Sequence, residues 1–418
     1  MKRIIVVGAG AAGLMAATIA AREGAVVTLI EKMNMIGKKM GITGKGRCNI
    51  TNNAPIEDFI ARTPGNGKFL LSAYQQFDNR DLLDLLTHWK LKTKVERGGR
   101  IFPESDSALE VRDMFMRVFK GYGGTLHLNE AVEHLIVDEG AIKGVKTNRE
   151  TYYADAVILA TGGLSYPLTG STGDGYELAR AVGHKITDLR PSLVPIETKE
   201  SWVKDLMGLS LRNVELSVVA KNKVQGKMFG EMMFTHFGIT GPIVLSLSHT
   251  VGKLMKKKNI GSIELQINLK PALSQEQLDV RVQKDFQLYS KKQLGNGLKD
   301  LLPQRLIPVI IKEAQLDESK FINQMSREER FRLVHTLQHL TLNFKSLGPI
   351  AEAIVTSGGI TVKEFTPRTM ESKLIKGLYG AGEVLDIDAF TGGYNLQAAF
   401  STGYVAAMHA VHGDLDNK

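Results

Sequence analysis

Residues 3–32 read RIIVVGAGAAGLMAATIAAREGAVVTLIEK and decide the fold of the chain. Ile4 to Val7 are all apolar and β-branched, which is typical of a parallel strand covered on both faces. Residues 11–22 favour a helix, and residues 25–30 predict a second strand that ends on Glu31. The stretch therefore predicts a strand–helix–strand unit of a parallel sheet.

Three glycines in the spacing G-x-G-x-x-G lie between the first strand and the helix. Gly8 permits the tight turn, Gly10 lets a pyrophosphate approach the backbone, and Gly13 lets the helix pack closely on the sheet. Unpaired N–H groups at the helix N-terminus attract phosphates, and Glu31 can accept hydrogen bonds from ribose hydroxyls. An acid at this position rejects a 2′-phosphate, so the turn predicts FAD or NAD rather than NADP. An ordinary βαβ turn is the alternative.

The last segment of the chain favours FAD. Residues 377–384, GLYGAGEV, predict a strand that leads into a glycine turn and Glu383. Gly392 and Gly393 then open an alanine-rich helix that extends to His409. The positive end of such a helix can stabilise the negative charge that accumulates at the N1–C2 edge of a reduced flavin.

Composition and charge restrict the function classes. The 418 residues suffice for two or three domains, and 43% hydrophobic with 23% charged residues excludes a wholly disordered chain. The net charge of +9 permits an acidic substrate or a nucleic acid, but the basic residues are mostly scattered. The densest cluster, Lys253 with 256–258, has no interleaved aromatic residues and is typical of a solvated turn. We therefore expect no nucleic-acid partner.

Targeting and redox signals are weak. The uncharged residues 4–21 resemble a signal peptide or membrane anchor, but the glycine fingerprint and the strand ending on Glu31 explain them better. No other uncharged run is long enough to span a bilayer, so we expect a cytoplasmic protein without a membrane partner. The single cysteine, Cys48, excludes an internal disulfide and a Cys-x-x-Cys redox pair. No metal site is indicated.

The distribution of motifs predicts an α/β fold with an insert. Residues 1–190 and 346–418 both contain glycine-rich motifs, and we expect them to form the two parts of a Rossmann-like FAD-binding domain. Residues 191–270 contain strand-like runs and residues 271–345 are mainly helical, so we expect a β-rich substrate domain followed by a helical part. Short runs within residues 126–153 suggest a β-meander over the sheet.

Several motifs together carry a resemblance to a known family. They are TGKGRCNITN at 43–52, RIFPESDSA at 100–108, ATGGLSYPLTGSTGDGY at 160–176, FTHFGITGP at 234–242, TSGGI at 356–360 and GEVLDIDAFTGGYNLQAAF at 382–400. With them the chain resembles the YhiN/BaiN-like family of bacterial flavoproteins, some of which are labelled aminoacetone oxidase-like, within the glutathione-reductase-type FAD superfamily. The resemblance covers essentially all 418 residues. It implies a three-layer ββα FAD-binding domain, noncovalent FAD and a β-barrel-like insert that covers the flavin.

The resemblance also implies contacts to the cofactor. From the pyrophosphate and adenosine to the flavin ring, they are Gly8, Gly10, Ala12, Gly13, Glu31, Lys32, Val132, Thr161, Gly162, Gly382, Glu383, Thr43, Gly44, Arg47, Cys48, Asn49, Gly393, Asn395 and Leu396. No histidine precedes His88, so attachment of FAD through an early histidine is not expected. No second G-x-G-x-x-G lies between residues 150 and 350, which argues against a dedicated NAD(P)H domain. NAD(P)H stays a candidate transient electron donor.

Three side chains are candidates for substrate chemistry. His236, in a loop bounded by glycine and proline, would exchange a proton near flavin N5, with a structural histidine as the alternative. Arg368 would bind a substrate carboxylate, against the alternative of a surface salt bridge. Tyr394 would contact flavin or substrate, against the alternative of core packing. Cys48 lacks a resolving partner and is interpreted as a small buried residue beside the flavin.

Together these features predict an FAD-dependent oxidoreductase. It would transfer a hydride between flavin N5 and a small or medium organic substrate, with reoxidation by dioxygen or another acceptor. Two alternatives stay open: a flavin-dependent RNA-modifying enzyme, motivated by the net charge, and a noncatalytic flavin-binding sensor. The sequence leaves the substrate, the direction of the reaction and the oligomeric state open.

Overall fold

The computed structural model describes residues 1–257 and 259–413. The chain divides into two compact units. The first unit consists of Met1–Pro191 and the chain from Ile350 onward, and the second is Ser192–Pro349. The sequence placed these two divisions after residues 190 and 345. The chain thus leaves the first unit once and returns to it once.

The strands of the described residues are numbered in chain order. They are β1 (Arg3–Val7), β2 (Val26–Glu31), β3 (Thr51–Asn52), β4 (Thr93–Glu96), β5 (Arg100–Pro103), β6 (Thr125–Leu128), β7 (Val132–Asp138), β8 (Ala141–Thr147), β9 (Thr151–Tyr153), β10 (Ala156–Leu159), β11 (Arg190–Ser192), β12 (Ile196–Thr198), β13 (Ser210–Ala220), β14 (Lys223–Phe234), β15 (Gly238–Thr240), β16 (Ile263–Asn268), β17 (Leu340–Leu347), β18 (Val355–Ser357) and β19 (Leu378–Gly380).

The α-helices of the same residues follow. They are α1 (Ala11–Arg22), α2 (Lys38–Ile42), α3 (Ile56–Ala61), α4 (Leu71–Gln76), α5 (Asn79–His88), α6 (Ala108–Gly121), α7 (Asp174–Ala181), α8 (Pro242–Met255), α9 (Gln275–Leu288), α10 (Leu294–Gly297), α11 (Ile307–Glu313), α12 (Arg327–Gln338) and α13 (Tyr394–His412).

The first unit is built on a five-stranded parallel sheet in the order β19-β10-β1-β2-β6. The central strand β1 is buried from Ile4 to Val7, which explains its continuous apolar run. Helix α1 is buried along most of its length because α6 and α13 pack against it. A Cβ atom on Gly403 of α13 would lie 2.4 Å from the Ala12 carbonyl oxygen, so the two helices approach through a glycine.

The third layer of this unit is the antiparallel meander β7-β8-β9, in which β8 contacts β10 of the parallel sheet. The predicted three-layer α/β fold is confirmed. The prediction that the meander begins at Leu126 was wrong. Residues 125–128 form β6, which pairs in parallel with residues 28–31 and is an edge strand of the main sheet; its partly exposed residues resemble those of a meander strand.

The second unit contains a closed antiparallel barrel in the order β12-β15-β14-β13-β16-β17, with β12 pairing with β17 to close it. The predicted barrel-like insert is confirmed. Alternate residues of its strands fill the interior, among them Leu216, Val218, Leu265 and Leu342. Strand β17 follows helices α9–α12 in the chain, so the barrel is completed by residues beyond the predicted β-rich range 191–270. In the part of the chain that the structure describes, no helix is long and apolar enough to cross a membrane.

Candidate functional site

A cleft in the first unit opens where β1, β2 and β10 end. Parallel strands place their carboxyl ends at one edge, which is where open α/β sheets bind ligands. Together with its open mouth, the cleft encloses about 1400 Å³ of space. The predicted residues that line it are Gly8, Gly10, Ala12, Glu31, Lys32, Thr43, Val132, Thr161, Gly162, Gly382, Glu383, Asn395 and Leu396.

The three fingerprint glycines are required for different reasons. Gly8 has a φ of +97°, and a Cβ atom there would lie 2.6 Å from the Ala160 carbonyl oxygen. A Cβ atom on Gly13 would lie 1.8 Å from the Gly8 carbonyl oxygen, so α1 could not pack in its present position. A Cβ atom on Gly10 would meet nothing within 4 Å, because Gly10 borders the open cleft. Packing therefore requires Gly8 and Gly13, whereas Gly10 keeps space free for a ligand.

The start of α1 supplies hydrogen-bond donors to this space. The N–H group of Leu14 bonds to the Gly10 carbonyl oxygen at 2.9 Å and thereby closes the first turn. The N–H groups of the residues before Leu14 have no partner within the helix, and the helix dipole makes this end positive. This geometry suits a phosphate or pyrophosphate.

Glu31 is held by the backbone around it. Its carboxylate accepts hydrogen bonds from the N–H groups of Ala9 and Met33, both at 2.8 Å. Beside it, Lys32 donates to Asp174 at 2.5 Å and to Thr172. Burial opposes ionisation of Asp174, but the hydrogen bonds from Lys32 and Thr172 outweigh it and hold the pKa of this carboxyl below its ordinary value. Two oriented carboxylates thus stand at the adenosine end predicted for the cleft.

A second ion pair crosses the wall of the cleft. Lys39 Nζ lies 2.6 Å from Glu383 Oε2 and 2.5 Å from Ser165 Oγ. The other oxygen of Glu383 accepts hydrogen bonds from Ser165 Oγ at 3.0 Å and from the Thr356 N–H group at 2.8 Å. The Lys39 and Glu383 side chains are 20% and 19% exposed, so the pair is largely removed from water. It joins four segments of the chain at one point.

The N-terminus of α13 also reaches the cleft. Asn395 donates to the Ala389 carbonyl oxygen at 2.7 Å and accepts from the Ala389 N–H group at 2.8 Å, which fixes the segment before the helix. Gly393 has a φ of +99°, and a Cβ atom there would lie 2.3 Å from the Thr51 carbonyl oxygen. The Asn49 amide, oriented by its neighbours, accepts from the Gly393 N–H group at 3.0 Å. The helix start is therefore fixed before any ligand binds.

The cleft residues fit FAD on observations independent of the fingerprint. The Thr161 hydroxyl is buried in the cleft wall and has no hydrogen-bond partner among the described residues, as expected of a group that waits for a ligand atom. The open position beside Gly10, the free N–H groups of α1 and the Glu31 carboxylate match a pyrophosphate and a ribose. The positive N-terminus of α13 suits the N1–C2 edge of a flavin, where negative charge accumulates on reduction.

Comparison with known proteins identifies the family. The family described as HI0933-like protein Rossmann domain matches residues 2–409. The chain belongs to the HI0933-like family. It is 30% identical over 418 residues to the 3-dehydro-bile acid delta(4,6)-reductase of Clostridium scindens. This alignment covers 98% of this chain and 99% of that protein. It is 29% identical over 410 residues to the ribosomal RNA dihydrouridine synthase of Haemophilus influenzae, with 97% of each chain covered.

Solved structures agree on the fold. A 3-ketosteroid-delta4-(5alpha)-dehydrogenase from Rhodococcus jostii superposes with a TM-score of 0.52 at 15% identity, covering 98% of this chain and 97% of that one. A flavocytochrome c3 fumarate reductase superposes with a TM-score of 0.53 at 17% identity, covering 99% and 79%. The resemblance inferred from the sequence is confirmed, and the HI0933-like chain is an FAD-dependent oxidoreductase.

Six predicted cofactor residues lie outside the cleft lining in the HI0933-like chain: Gly13, Gly44, Arg47, Cys48, Asn49 and Gly393. Arg47 instead bonds to Glu96 at 2.8 Å and stacks 4.1 Å from the Phe102 ring centre. A Cβ atom on Gly44 would lie 2.9 Å from the same ring. Of residues 43–49, Thr43 lines the cleft, whereas Gly44 and Arg47 pack against Phe102.

Cys48 is fully buried, and burial raises the pKa of its thiol to about 12 despite a hydrogen bond with Thr43. We expect Ellman's reagent to leave the folded protein almost unlabelled at pH 8 and to label one thiol per chain in urea. Because the folded protein holds this proton more tightly, the thiol stabilises the fold below its ordinary pKa of 9.0 and loses that effect as the pH rises above it. Rapid labelling of the folded protein would contradict this account.

The three catalytic candidates stand in different surroundings. Tyr394 is 4% exposed, packs edge-on against Phe59 with ring centres 5.0 Å apart, and does not line the cleft. Arg368 is exposed and also lies outside the cleft lining. His236 belongs to the second unit, in the turn between β14 and β15, with its exposed ring edge-on to Phe237. Their catalytic roles stay predictions.

Several cleft residues escaped sequence reasoning. Lys39 lines the cleft, although it is not among the cofactor contacts that the resemblance implies. Glu130 is 1% exposed and accepts hydrogen bonds from Thr147 at 2.7 Å, and its N–H group bonds to the Glu31 carbonyl oxygen at 3.1 Å. Glu130 follows a strand of the parallel sheet, which is where cleft residues are expected. From the sequence alone, residues 126–128 are assigned to the meander, so this indication is lost.

Asp386 is a second group that the sequence did not assign. Burial, reinforced by the nearby Asp388 charge, raises the pKa of the Asp386 carboxyl above its ordinary value, against hydrogen bonds from Thr187 and Asn66. The next residue, Ile387, lines the cleft. Asp386 is thus a carboxyl with a raised pKa that directly precedes a residue of the cleft lining.

Proposed function

We propose that this HI0933-like flavoprotein reduces a carbon–carbon double bond conjugated to a carbonyl group. The observation that carries the proposal is that two relatives, aligned over nearly their full lengths, have names that share this chemistry. A delta(4,6)-reductase of a 3-oxo steroid acts on double bonds in conjugation with the ketone. A dihydrouridine synthase saturates the C5–C6 bond of uracil, which is conjugated with the C4 carbonyl.

The chain's own residues would bind and orient the reactants. FAD, when bound, supplies hydride transfer, and the substrate needs one proton for each hydride that it accepts. Lys39 and Glu383 would hold the middle of the cofactor, and the N-terminus of α13 would stabilise negative charge at the flavin edge. Asp386, whose pKa is raised by burial, is the candidate proton donor in the first unit, and His236 stays the alternative candidate.

Two substrate classes are therefore candidates: an unsaturated oxo-steroid and the uracil ring of RNA. The charge distribution favours RNA. The second unit has 23 lysine and arginine residues against 15 aspartate and glutamate residues, a net charge of +8. The first unit has 30 against 29, a net charge of +1. The positive charge that looked scattered along the sequence is thus concentrated in the insert, and a basic domain is the usual electrostatic footprint of a nucleic-acid binder.

An anaerobic stopped-flow experiment tests the reaction class. The FAD-loaded protein is reduced with NADH, with NADPH or, if neither reacts, with dithionite, and the flavin absorbance is followed after mixing with each candidate acceptor. We expect recovery of the oxidised spectrum with an unsaturated oxo-steroid or a uridine-containing RNA. The matched control for each is the same molecule with the conjugated bond already saturated, which should leave the flavin reduced.

The products decide between the substrate classes. Mass spectrometry of the RNA should show a gain of two hydrogen atoms on uridine, whereas a steroid reductase should give the saturated ketone and unchanged RNA. Mixing the reduced protein with air measures the competing reoxidation by dioxygen. A flavin that no conjugated acceptor reoxidises, but that dioxygen or an amine-oxidising cycle turns over, would overturn the proposal in favour of an oxidase.

A further inference from the structure

Several lysines of the second unit lie at one end of its barrel. Strand β13 ends at Ala220, the turn Lys221–Asn222 follows, and β14 begins at Lys223. Ala220 pairs with Ile263, the first residue of β16. The chain reaches Ile263 directly from α8, so the C-terminus of α8 must lie near the same end of the barrel as the β13–β14 turn.

The packing of α8 on β14 confirms this direction. A Cβ atom on Gly230 would lie 2.8 Å from Ile243, near the start of α8. A Cβ atom on Gly226 would lie 3.4 Å from Leu247 and Thr250, further along the helix. The helix therefore runs along β14 toward the β13–β14 turn.

Five lysines thus share one end of the barrel, which we call the basic end: Lys221, Lys223, Lys253, Lys256 and Lys257. All five side chains are exposed. Lys258, which follows them in the sequence, lies outside the described residues. The acidic residue of the adjoining strand ends is Glu264, which accepts a hydrogen bond from Gln266 at 3.3 Å. Lys227 lies further along β14, away from the turn, and is therefore not counted in the basic end; it pairs with Glu215 at 3.2 Å.

Stabilisation of α8 explains only part of this arrangement. Lysines in the last turn of a helix interact favourably with its dipole, which accounts for Lys253 and its neighbours. The same effect does not account for Lys221 and Lys223, which come from a separate hairpin turn and add to the repulsion among like charges. A convergence of positive charge from two independent segments is what a polyanion requires of its binding surface.

We propose that the basic end binds the phosphate backbone of the RNA whose uracil is reduced. The proposal rests on the RNA form of the proposed function and adds the surface that holds the substrate. Lysines are suited to this role because a phosphate backbone is recognised by point charges without base specificity. They would dock the RNA, and base recognition would stay with the reactive site.

The test measures binding of a fluorescein-labelled uridine-containing RNA hairpin to the FAD-loaded protein by anisotropy. The variant Lys221→Gln/Lys223→Gln/Lys256→Gln/Lys257→Gln removes four charges from exposed positions. We expect its affinity to fall about tenfold or more near 0.15 M salt, and the slope of log K against log salt to become shallower by about three, since each lost phosphate contact removes about 0.7–0.9. Free uridine and an unsaturated ketone should react with the reduced variant as with the parent protein.

The control variant Lys68→Gln/Lys120→Gln/Lys143→Gln/Lys146→Gln removes the same charge from exposed positions of the first unit and should bind RNA as the parent does. Equal loss in both variants would mean that net charge alone matters and would overturn the proposal. Unchanged binding by the barrel variant, with RNA still reduced, would overturn the docking surface but leave the function standing. A parent protein that neither binds nor reduces RNA would overturn the docking surface and the RNA form of the proposed function, while reduction of the unsaturated ketone would still support the reaction class. Tighter binding to phosphatidylserine vesicles than to RNA would overturn the RNA assignment and give the basic end to a membrane surface.

Discussion

Gly13→Ala should strongly destabilise the FAD-binding unit, with or without cofactor. The added Cβ atom would lie 1.8 Å from the Gly8 carbonyl oxygen and 3.3 Å from the Ala160 side chain. The oxygen belongs to the turn after β1, so relief requires α1 to move away from the central strand. Because α1 also packs against α6 and α13, its displacement would disturb most of the core, and we expect a loss of about 3 kcal/mol or more in the free energy of unfolding.

Gly10→Ala is the matched variant, since it adds the same methyl group three residues earlier. Gly10 has a φ of −78°, which any residue adopts, and its Cβ position has no atom within 4 Å. We expect the apoprotein to unfold within about 1 kcal/mol of the parent, as is usual for a substitution without a clash. The methyl group would instead occupy the approach of the pyrophosphate, and we expect FAD affinity to fall about 100-fold, or about 2.7 kcal/mol.

Urea unfolding of the apoproteins and fluorescence titration with FAD separate the two effects. Gly121→Ala, at the end of α6 with nothing within 4 Å of its Cβ position, controls for the loss of glycine flexibility and should change neither quantity. If Gly10→Ala bound FAD as the parent does, the cleft beside α1 would not be the pyrophosphate site. If Gly13→Ala folded normally, the close approach of α1 to the turn would be wrong.

The sequence predicts the parts of this fold that are local. The fingerprint from Ile4 to Glu31 is a local pattern, and the structure places its strands and helix within a residue or two of the predicted positions. The start of α13 is local too, because the Gly392–Gly393 pair marks it directly. The end of the barrel is not local, since β17 pairs with β16 and β12 across the intervening helices. An alternating pattern says that a strand exists without saying which strand it pairs with.

The arrangement of charge likewise depends on contacts between distant segments, which the sequence does not predict. Along the chain Lys221 and Lys223 stand about thirty residues from Lys253, and nothing local connects them. The barrel brings them together because α8 runs back along β14. From the sequence alone, Lys253 and its neighbours are interpreted as a solvated turn, and nothing in the sequence shows that a second lysine segment adjoins them. A surface built from two distant segments can therefore be recognised only after the topology is known.

The Lys39–Glu383 pair is the least predictable feature of the cleft and supports the last prediction. The two residues are 344 positions apart, and their ion pair at 2.6 Å is about one-fifth exposed. Lys39→Met should leave the Glu383 carboxylate without its cation in a largely dry wall. We expect a loss of about 2 kcal/mol in the free energy of unfolding, because an uncompensated buried charge costs more than a lost surface pair.

The double variant Lys39→Met/Glu383→Gln tests that reason. The neutral amide can still accept the Thr356 N–H hydrogen bond, but it no longer needs a cation. We therefore expect the double variant to be more stable than Lys39→Met alone, and the double-mutant cycle with Glu383→Gln to give a coupling of about 1–2 kcal/mol. Lys38→Met removes a neighbouring charge of the cleft lining without breaking the pair, and its stability should match the parent.

FAD binding then distinguishes a structural pair from one that also serves the cofactor. If the pair only braces the wall, the double variant should regain FAD affinity together with stability. If Glu383 accepts a hydrogen bond from the ribityl chain, stability should return while FAD dissociates faster, because the amide accepts more weakly than the carboxylate. We expect the second result, since both residues line the cleft between the fingerprint turn and the start of α13. A coupling near zero would show instead that Lys39 and Glu383 act independently. The hydrogen bonds from Ser165 and Thr356 would then hold Glu383 in the cleft wall.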